Sequence, residues 1–379
     1  MYNKTITQMK KIIPGLLLCI IVMFLGVKGA DFFGILLIKF GVLAEGSGSP
    51  ISGIFIAIII GILIRNIVGV KDYFLYGIRF SLKHVLRIGI ILLGLRLSLT
   101  EALKLGALGI PLIVICISAG LFITLYLTGK MKQSTRLGTL IACGTGICGV
   151  TAIMATSPVI KAKEDEISYA VANITIFGLT GMVLYPFIAH YFFATDPVKA
   201  GMFLGTAIHD TAQVTGSALI YDQMFRTDKV VDVATVTKLT RNLFIIIIIP
   251  FVSYLFYKGK DGEEERKDLP KWYTFIPLFV IGFLFCALLR TIGDMTIIHT
   301  GKAFGLVNGT QWSNIYNSIS SFGTTYLLGI AMAGVGLSTN FAKFKGIGIK
   351  PFYIGFIAAV SVGIVSFILI AVFGSYVMV

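Results

Sequence analysis

Cys143-Gly-Thr-Gly-Ile-Cys-Gly-Val-Thr-Ala-Ile-Met-Ala-Thr-Ser-Pro158 and Gly205-Thr-Ala-Ile-His-Asp-Thr-Ala-Gln-Val-Thr-Gly-Ser-Ala-Leu219 are small and polar where the chain around them is apolar. In hydrocarbon an unpaired backbone group costs several kcal/mol, so irregular Gly-rich backbone survives only where protein or a watery cavity satisfies it. Paired Gly/Pro-interrupted segments in a hydrophobic chain are the sequence pointer to a transporter's binding site. These two stretches are therefore read as the walls of one substrate site.

The surroundings are those of a polytopic membrane protein. Of 379 residues, 56% are hydrophobic and 13% charged, and the mean hydropathy is +0.91. A soluble domain carries about 25% charged residues. The net charge of +14 lies in loops between apolar runs, which fits cytoplasmic loops and contact with anionic lipid rather than nucleic acid. Cys19, Cys116, Cys143, Cys148 and Cys286 sit in apolar or Gly-rich stretches. Their odd number argues against a disulfide framework, and the spacing of Cys143 and Cys148 is not that of a zinc site.

Eleven membrane segments are expected, at 12–28, 51–69, 84–100, 106–128, 137–158, 167–193, 200–221, 231–257, 272–291, 316–338 and 351–376. The apolar run 31–44 holds Asp31 and Lys39 and is read as interfacial or short. Lys4, Lys10 and Lys11 before the first run suit a retained first helix with a cytoplasmic N-terminus. Loops 70–83, 129–136 and 339–350 are then cytoplasmic and basic, and the charged loop 258–271, whose acids and bases nearly balance, is cytoplasmic too. Loop 292–315 is outside and has few bases. Whether 137–158 and 200–221 cross or re-enter stays open, since either choice leaves the other loops unmoved.

The expected organisation is an N-terminal helix and interfacial segment (1–50), a first transmembrane half (51–195, interrupted at 143–158) and a second half (196–379, interrupted at 205–219). Two internal echoes suggest repeats. Gly94-Leu-Arg-Leu-Ser98 matches Gly334-Val-Gly-Leu-Ser338, in opposite directions on this path, and Gly144-Thr145 … Pro186-Phe187 matches Gly205-Thr206 … Pro250-Phe251. The two echoes do not fit one tandem order. The fold class is all-α, an inverted-repeat transporter fold with two broken or re-entrant helices.

His209 and Asp210 are adjacent ionisable residues inside an apolar segment, flanked by Thr206, Thr211, Gln213, Thr215 and Ser217. Intramembrane charge costs ~2.5–3.5 kcal/mol or more at the bilayer centre and marks a functional site by default. The bland alternative is a pair that locks a helix break. Gly144, Gly146 and Gly149 allow close backbone approach, and Thr145 and Thr151 add hydroxyls. A half-helix starting there would aim N–H groups at an anion, although small residues also serve helix packing. Lys238 and Arg241 share a helix face ahead of a strongly apolar run. They read as anion ligands or as bases snorkelling at a helix end. Arg96 is similar. The candidate binding set is Gly144, Thr145, Gly146, Cys148, Gly149, Thr151, Thr206, His209, Asp210, Thr211, Gln213, Lys238 and Arg241, with His209 and Asp210 as the coupling pair. An imidazole titrates near pH ~6.5 when unperturbed. Bases outnumber acids in this set, which favours an anion, and Arg suits carboxylate, sulfonate or sulfate. Glu164-Asp165-Glu166 sits at a helix start, where acids complement the dipole. No nucleotide-binding or hydrolase motif is present, and no cofactor or metal is expected.

Gly144-Thr-Gly-Ile-Cys-Gly-Val-Thr-Ala, Tyr169-Ala, Phe177-Gly-Leu-Thr-Gly-Met-Val-Leu-Tyr-Pro186, Gly205-Thr-Ala-Ile-His-Asp-Thr-Ala-Gln-Val214, Lys238-Leu-Thr-Arg241 and Ile88-Gly-Ile-Ile-Leu-Leu-Gly-Leu-Arg-Leu-Ser98 together resemble the YeiH-type sulfate exporter family. The likeness covers roughly residues 50–379 in the family's order. Asp210 stands where the family often has Glu, and Thr211-Ala-Gln where Val-Ala-Gln is usual. The resemblance implies a bacterial inner-membrane protein with an inverted-repeat fold like the cation:proton antiporter/anion transporter superfamily. The expectation is a secondary transporter, an exporter of a small anion such as sulfate, a sulfonate or a carboxylate, with proton coupling through His209 and Asp210. The alternative is a channel-like or ligand-sensing membrane protein using the same cavity. No enzyme activity is expected; Cys148 with His209 is the single nucleophile–base pairing the segments offer. The expected partners are the anion and the lipid bilayer, with homo-oligomerisation left open.

Overall fold

The computed structural model describes residues 2–40, 51–257, 278–344 and 349–377. Among these, six helices are long and apolar enough to cross a membrane: Lys10–Lys39, Leu99–Lys130, Glu164–Phe193, Leu278–Thr300, Gly309–Ser338 and Ile349–Tyr376. A seventh span is formed if Lys229–Leu243 and Ile245–Tyr257, bent by 42° at their junction, are taken together. The shorter apolar helix Gly53–Val68, the run 72–96 and the two interrupted segments carry helix over the rest of the expected set. The chain is thus a multi-pass α-helical membrane protein. The charged loop 258–271 and residues 272–277 of the span expected at 272–291 lie outside the described residues.

One expectation changes at the start of the chain. The run 31–44 is not separate: the first helix continues unbroken from Tyr2 to Lys39. Asp31 is accommodated by Lys28 one turn earlier, 3.7 Å away on an exposed face, an i,i+3 pairing that lets a helix carry both charges. Residues 41–44 lie outside the described residues.

Two compact units interleave along the sequence, so the sequence halves 51–195 and 196–379 are not the units of packing. The first unit comprises Met1–Leu103, Ala218–Asp228 and Phe279–Ala342. Its core holds Cys19, Val22, Met23, Ala57, Ile78, Ala333 and Leu337. Helices approach closely through small residues, as membrane helices do: a Cβ on Gly61 would lie 2.8 Å from the Leu337 nitrogen. A two-residue antiparallel pairing, Lys302–Ala303 with Val307–Asn308, turns the chain between two long helices.

The second unit comprises Lys104–Ser217, Lys229–Leu278 and Lys343–Val379. It contains the first of the stretches that open the sequence analysis, and the second as far as Ser217, each as helix, break, helix. A longer helical run follows each: Glu164–Phe193 after the first, and Lys229–Leu243 with Ile245–Tyr257 after the second. Pro186 and Pro250, matched in the sequence echo, both lie inside these following helices. Apolar side chains surround the breaks in two clusters, one with Ile113, Ile117, Cys143, Ile147 and Ile249, the other with Leu140, Ile141, Ile153 and Ile174.

Candidate functional site

The first broken segment begins with helix Thr135–Cys143, whose start is capped by the Ser134 side chain. Gly144–Cys148 widens into a π turn, closed by the Gly149 N–H donating to the Gly144 carbonyl at 2.9 Å. At Gly149 the backbone takes φ +63°, ψ −127°, a region open essentially to glycine alone. The helix resumes as Val150–Thr156. The reversal leaves the carbonyls of Thr145, Gly146 and Ile147 at the end of a helix with no N–H ahead of them.

The second segment starts on Asp196, which accepts from the N–H groups of Val198 and Lys199, with Pro197 in the first helical position where a missing N–H is harmless. Helix Pro197–Ala207 stops at Ile208, which is extended (φ −91°, ψ 140°). Asp210 then caps the next helix, Thr211–Phe225: the Ala212 N–H donates to Asp210 Oδ1 at 2.9 Å. The N–H groups of Val150 and Gln213 also face this carboxylate. Asp210 therefore sits at the start of two half-helices at once, where negative charge is favoured.

Helix Lys229–Leu243 carries the cations to this place. It lies along Pro197–Ala207 through small-residue contacts: a Cβ on Gly201 would stand 2.6 Å from the Val233 Cβ, and one on Gly205 2.7 Å from the Thr237 Cβ. Both pairs recur at i, i+4, so the contact is a single stripe. Immediately beyond Thr237, Lys238 and Arg241 reach the broken ends. The Lys238 ammonium donates to the carbonyls of Ile147 (3.2 Å), Ile208 (3.0 Å) and His209. Arg241 donates from Nε to Gly146 (3.0 Å), from Nη1 to Thr206 (2.5 Å) and Ile208 (3.4 Å), and from Nη2 to Thr145 (2.6 Å). Both side chains are fully buried. Lysine has three N–H donors and arginine five, so Lys238 commits all of its donors and Arg241 four. Neither snorkels, and neither offers a free donor set to a ligand; their contribution is a fixed positive field and a brace between the two breaks.

The other expected residues fall into three groups. His209, Thr145 and Gln213 are buried at the breaks and hold polar atoms with no partner, His209 Nδ1, Thr145 Oγ1 and Gln213 Oε1. The Gln213 Nε2 donates to the Thr175 carbonyl at 3.2 Å. Buried polar atoms are normally paired with protein or water, and these three have no protein partner among the described residues. Asp210 and Thr211 are half-buried and Thr151 is exposed. Gly144, Cys148 and Thr206 serve packing: Gly144 backs onto Ile153 and Ile174, Cys148 belongs to the apolar cluster with Ile147 and Ala152, and the Thr206 hydroxyl pairs with Ser366 at 2.7 Å. Arg96 lies in the other unit, 2.9 Å from Asp228.

Two residues outside the expected set belong here. Asn242 Nδ2 donates to the Thr211 hydroxyl at 3.1 Å while its Oδ1 has no partner; its place next to Arg241 was the available signal. Ser217 is buried with an unpartnered hydroxyl and is i+4 from Gln213 on the same helix. Among the described residues no group of three or more His, Cys, Asp or Glu is placed to hold a metal ion.

The family described as "Conserved hypothetical protein 698" matches residues 14–355. A UPF0324 membrane protein of Fusobacterium nucleatum subsp. nucleatum is 32% identical over 322 residues, 84% of this chain and 89% of that protein. Another from Streptococcus agalactiae is 30% identical over 367 residues, 97% of this chain and 99% of its own length. The match spans both broken segments and the helix that braces them, and it places this chain in the Conserved hypothetical protein 698 family, as a relative of the UPF0324 membrane proteins.

Proposed function

We propose that the protein is a secondary transporter of a small anion, with sulfate, an organic sulfonate or a carboxylate as the substrate class. The observation that carries this reading is the meeting of two helix breaks at Gly149 and Asp210, with Lys238 and Arg241 buried against them. Discontinuous helices that bring dipole ends to one point are how transporters build substrate and ion sites. Two fixed cations beside one carboxylate favour an anion nearby, and the unpartnered atoms of Thr145, His209, Gln213 and Asn242 supply polar contacts. Direct charge contact from Lys238 and Arg241 is limited by their bonds to carbonyls, so the anion is held by field, hydroxyls and amide rather than by an arginine fork.

In this reading the chain makes eleven membrane segments in the cell (inner) membrane with a cytoplasmic N-terminus. Gly94–Ser98 and Gly334–Ser338 run in opposite directions on this path, and the YeiH-type resemblance implies an inverted-repeat fold. His209 and Asp210 link anion binding to a proton. No enzyme activity is part of this reading, and Cys148, the nucleophile that the two segments offer, lies in an apolar cluster. Homo-oligomers are compatible with the fold.

The test is uptake into proteoliposomes holding the purified protein, with labelled sulfate, a small sulfonate and a small carboxylate in turn. Saturable uptake stimulated by the same anion inside is expected. Conductance without that stimulation would replace the transporter by a channel. Binding without flux would leave a sensor.

A further inference from the structure

Six backbone carbonyls converge on the meeting point of the breaks, those of Thr145, Gly146 and Ile147 from one segment and of Thr206, Ile208 and His209 from the other. Those of Thr145, Gly146, Ile147, Thr206 and Ile208 belong to helix ends, which carry partial negative charge, and that of His209 lies in the unwound stretch just beyond. Unwound carbonyls and half-helix ends of this kind are where coupling cations bind in transporters. Here the place is taken. The Lys238 nitrogen has three carbonyl oxygens about it and satisfies each with one of its three N–H groups. Full use of three donors requires the ammonium form.

We infer that Lys238 is a resident monovalent cation: its ammonium fills a carbonyl cage that would otherwise hold a free cation of ammonium size, and the wild-type protein needs no sodium or potassium there. The cage is assembled by the two broken segments, and the four carbon atoms of the lysine stem tether its occupant to helix Lys229–Leu243. Arg241 holds the remaining carbonyls, so the cage keeps its walls when the lysine is shortened. Lys238→Ala should then leave a vacant space with three inward carbonyls, which fits ammonium or K+, both close in size to the group removed. The inference concerns the cage alone and stands whether or not an anion is carried.

The experiment is thermal unfolding of purified wild type and Lys238→Ala in detergent, in the chlorides of ammonium, potassium, sodium and choline at one ionic strength. Wild type is expected to melt at the same temperature in all four. Lys238→Ala is expected to melt lower in choline and to gain a few degrees, saturably, in ammonium and in potassium. Three results would overturn the inference: a wild type stabilised by sodium or potassium over choline, a Lys238→Ala protein indifferent to all four cations, or a Lys238→Ala protein that fails to fold with ammonium present throughout its preparation. A failure of anion uptake alongside ammonium rescue would remove the transport reading and keep this one.

Discussion

Gly149 and Asp210 are in contact across the two broken segments: a Cβ built on Gly149 would stand 3.0 Å from the Asp210 Cβ and Oδ2 and 3.1 Å from its Cα. The glycine is thus fixed twice, by its φ of +63° and by the backbone it lies against. A side chain there would part the breaks or force the turn into a different conformation.

Gly149→Ala is therefore expected to be poorly tolerated. Backbone strain in such a region costs ~1–3 kcal/mol, and the contact with Asp210 adds to it. Gly129→Ala is the control, since nothing lies within 4 Å of a Cβ at that helical position; alanine there is neutral or gains up to ~1 kcal/mol. Melting temperature followed by size-exclusion chromatography separates the two. Equal melting of both variants would mean the breaks are not locked together at Gly149.

Arg241→Lys should behave as a severe change. The guanidinium reaches both breaks with four bonds from a planar fork, and an ammonium on a shorter reach cannot reproduce that geometry. Breaking a buried charged arrangement costs ~3–5 kcal/mol. The expected readout is a large fall in melting temperature or in monodisperse yield. A wild-type melting curve for Arg241→Lys would show that Lys238 alone holds the carbonyl ends.

The two interruptions were legible because glycine and hydroxyl residues stand out against an apolar chain. The role of the bases was not. Lys238 and Arg241 read equally well as anion ligands or as snorkelling ends, because sequence shows a cation's position on its own helix and not the carbonyls that face it. Thr206 and Cys148 carried the same ambiguity: a hydroxyl or thiol in a polar stretch looks functional until its neighbours, Ser366 and an apolar cluster, are known. The unbroken helix through Asp31 was missed because a charge in an apolar run resembles a boundary, when a single i,i+3 partner suffices to keep it in the helix. The interleaving of the two compact units was invisible to a reading that cuts the chain once.

Thr145→Val and Thr206→Val should separate a ligand contact from a structural one. The Thr145 hydroxyl is buried with no partner, so removing it breaks no protein bond and should leave the melting temperature unchanged while raising the KM for the transported anion. The Thr206 hydroxyl bonds Ser366 and the Met202 carbonyl, so Thr206→Val should lower stability by ~1 kcal/mol with a smaller effect on KM. The reverse pattern would move the binding position away from the first break.

The inverted-repeat reading requires Gly94–Ser98 and Gly334–Ser338 to run in opposite directions through the membrane. Single cysteines at Thr100 and Asn340, neither of which is buried, report this by labelling with an impermeant thiol reagent in intact cells. Cys19, Cys116, Cys143 and Cys148 are buried, so Cys286 is the native thiol to replace first. Opposite sides are expected; labelling of both positions from one side would end the inverted repeat.

The coupling pair can be dissected because Asp210 has two separable roles. As a helix cap it accepts the Ala212 N–H, and asparagine caps about as well. As a charge it faces the starts of both half-helices, and asparagine removes that charge. Asp210→Asn should therefore keep the stability within ~1 kcal/mol of wild type, read as a small shift in melting temperature, yet flatten the pH dependence of anion uptake. His209 is buried next to it with Nδ1 unpartnered, and His209→Gln keeps hydrogen bonding while losing the ability to gain charge. It should flatten the same profile, and the double variant should change little beyond either single one, because residues acting as a unit are not additive. Uptake that keeps its wild-type rate and pH profile in both single variants would assign the pair to structure and place the coupling group elsewhere.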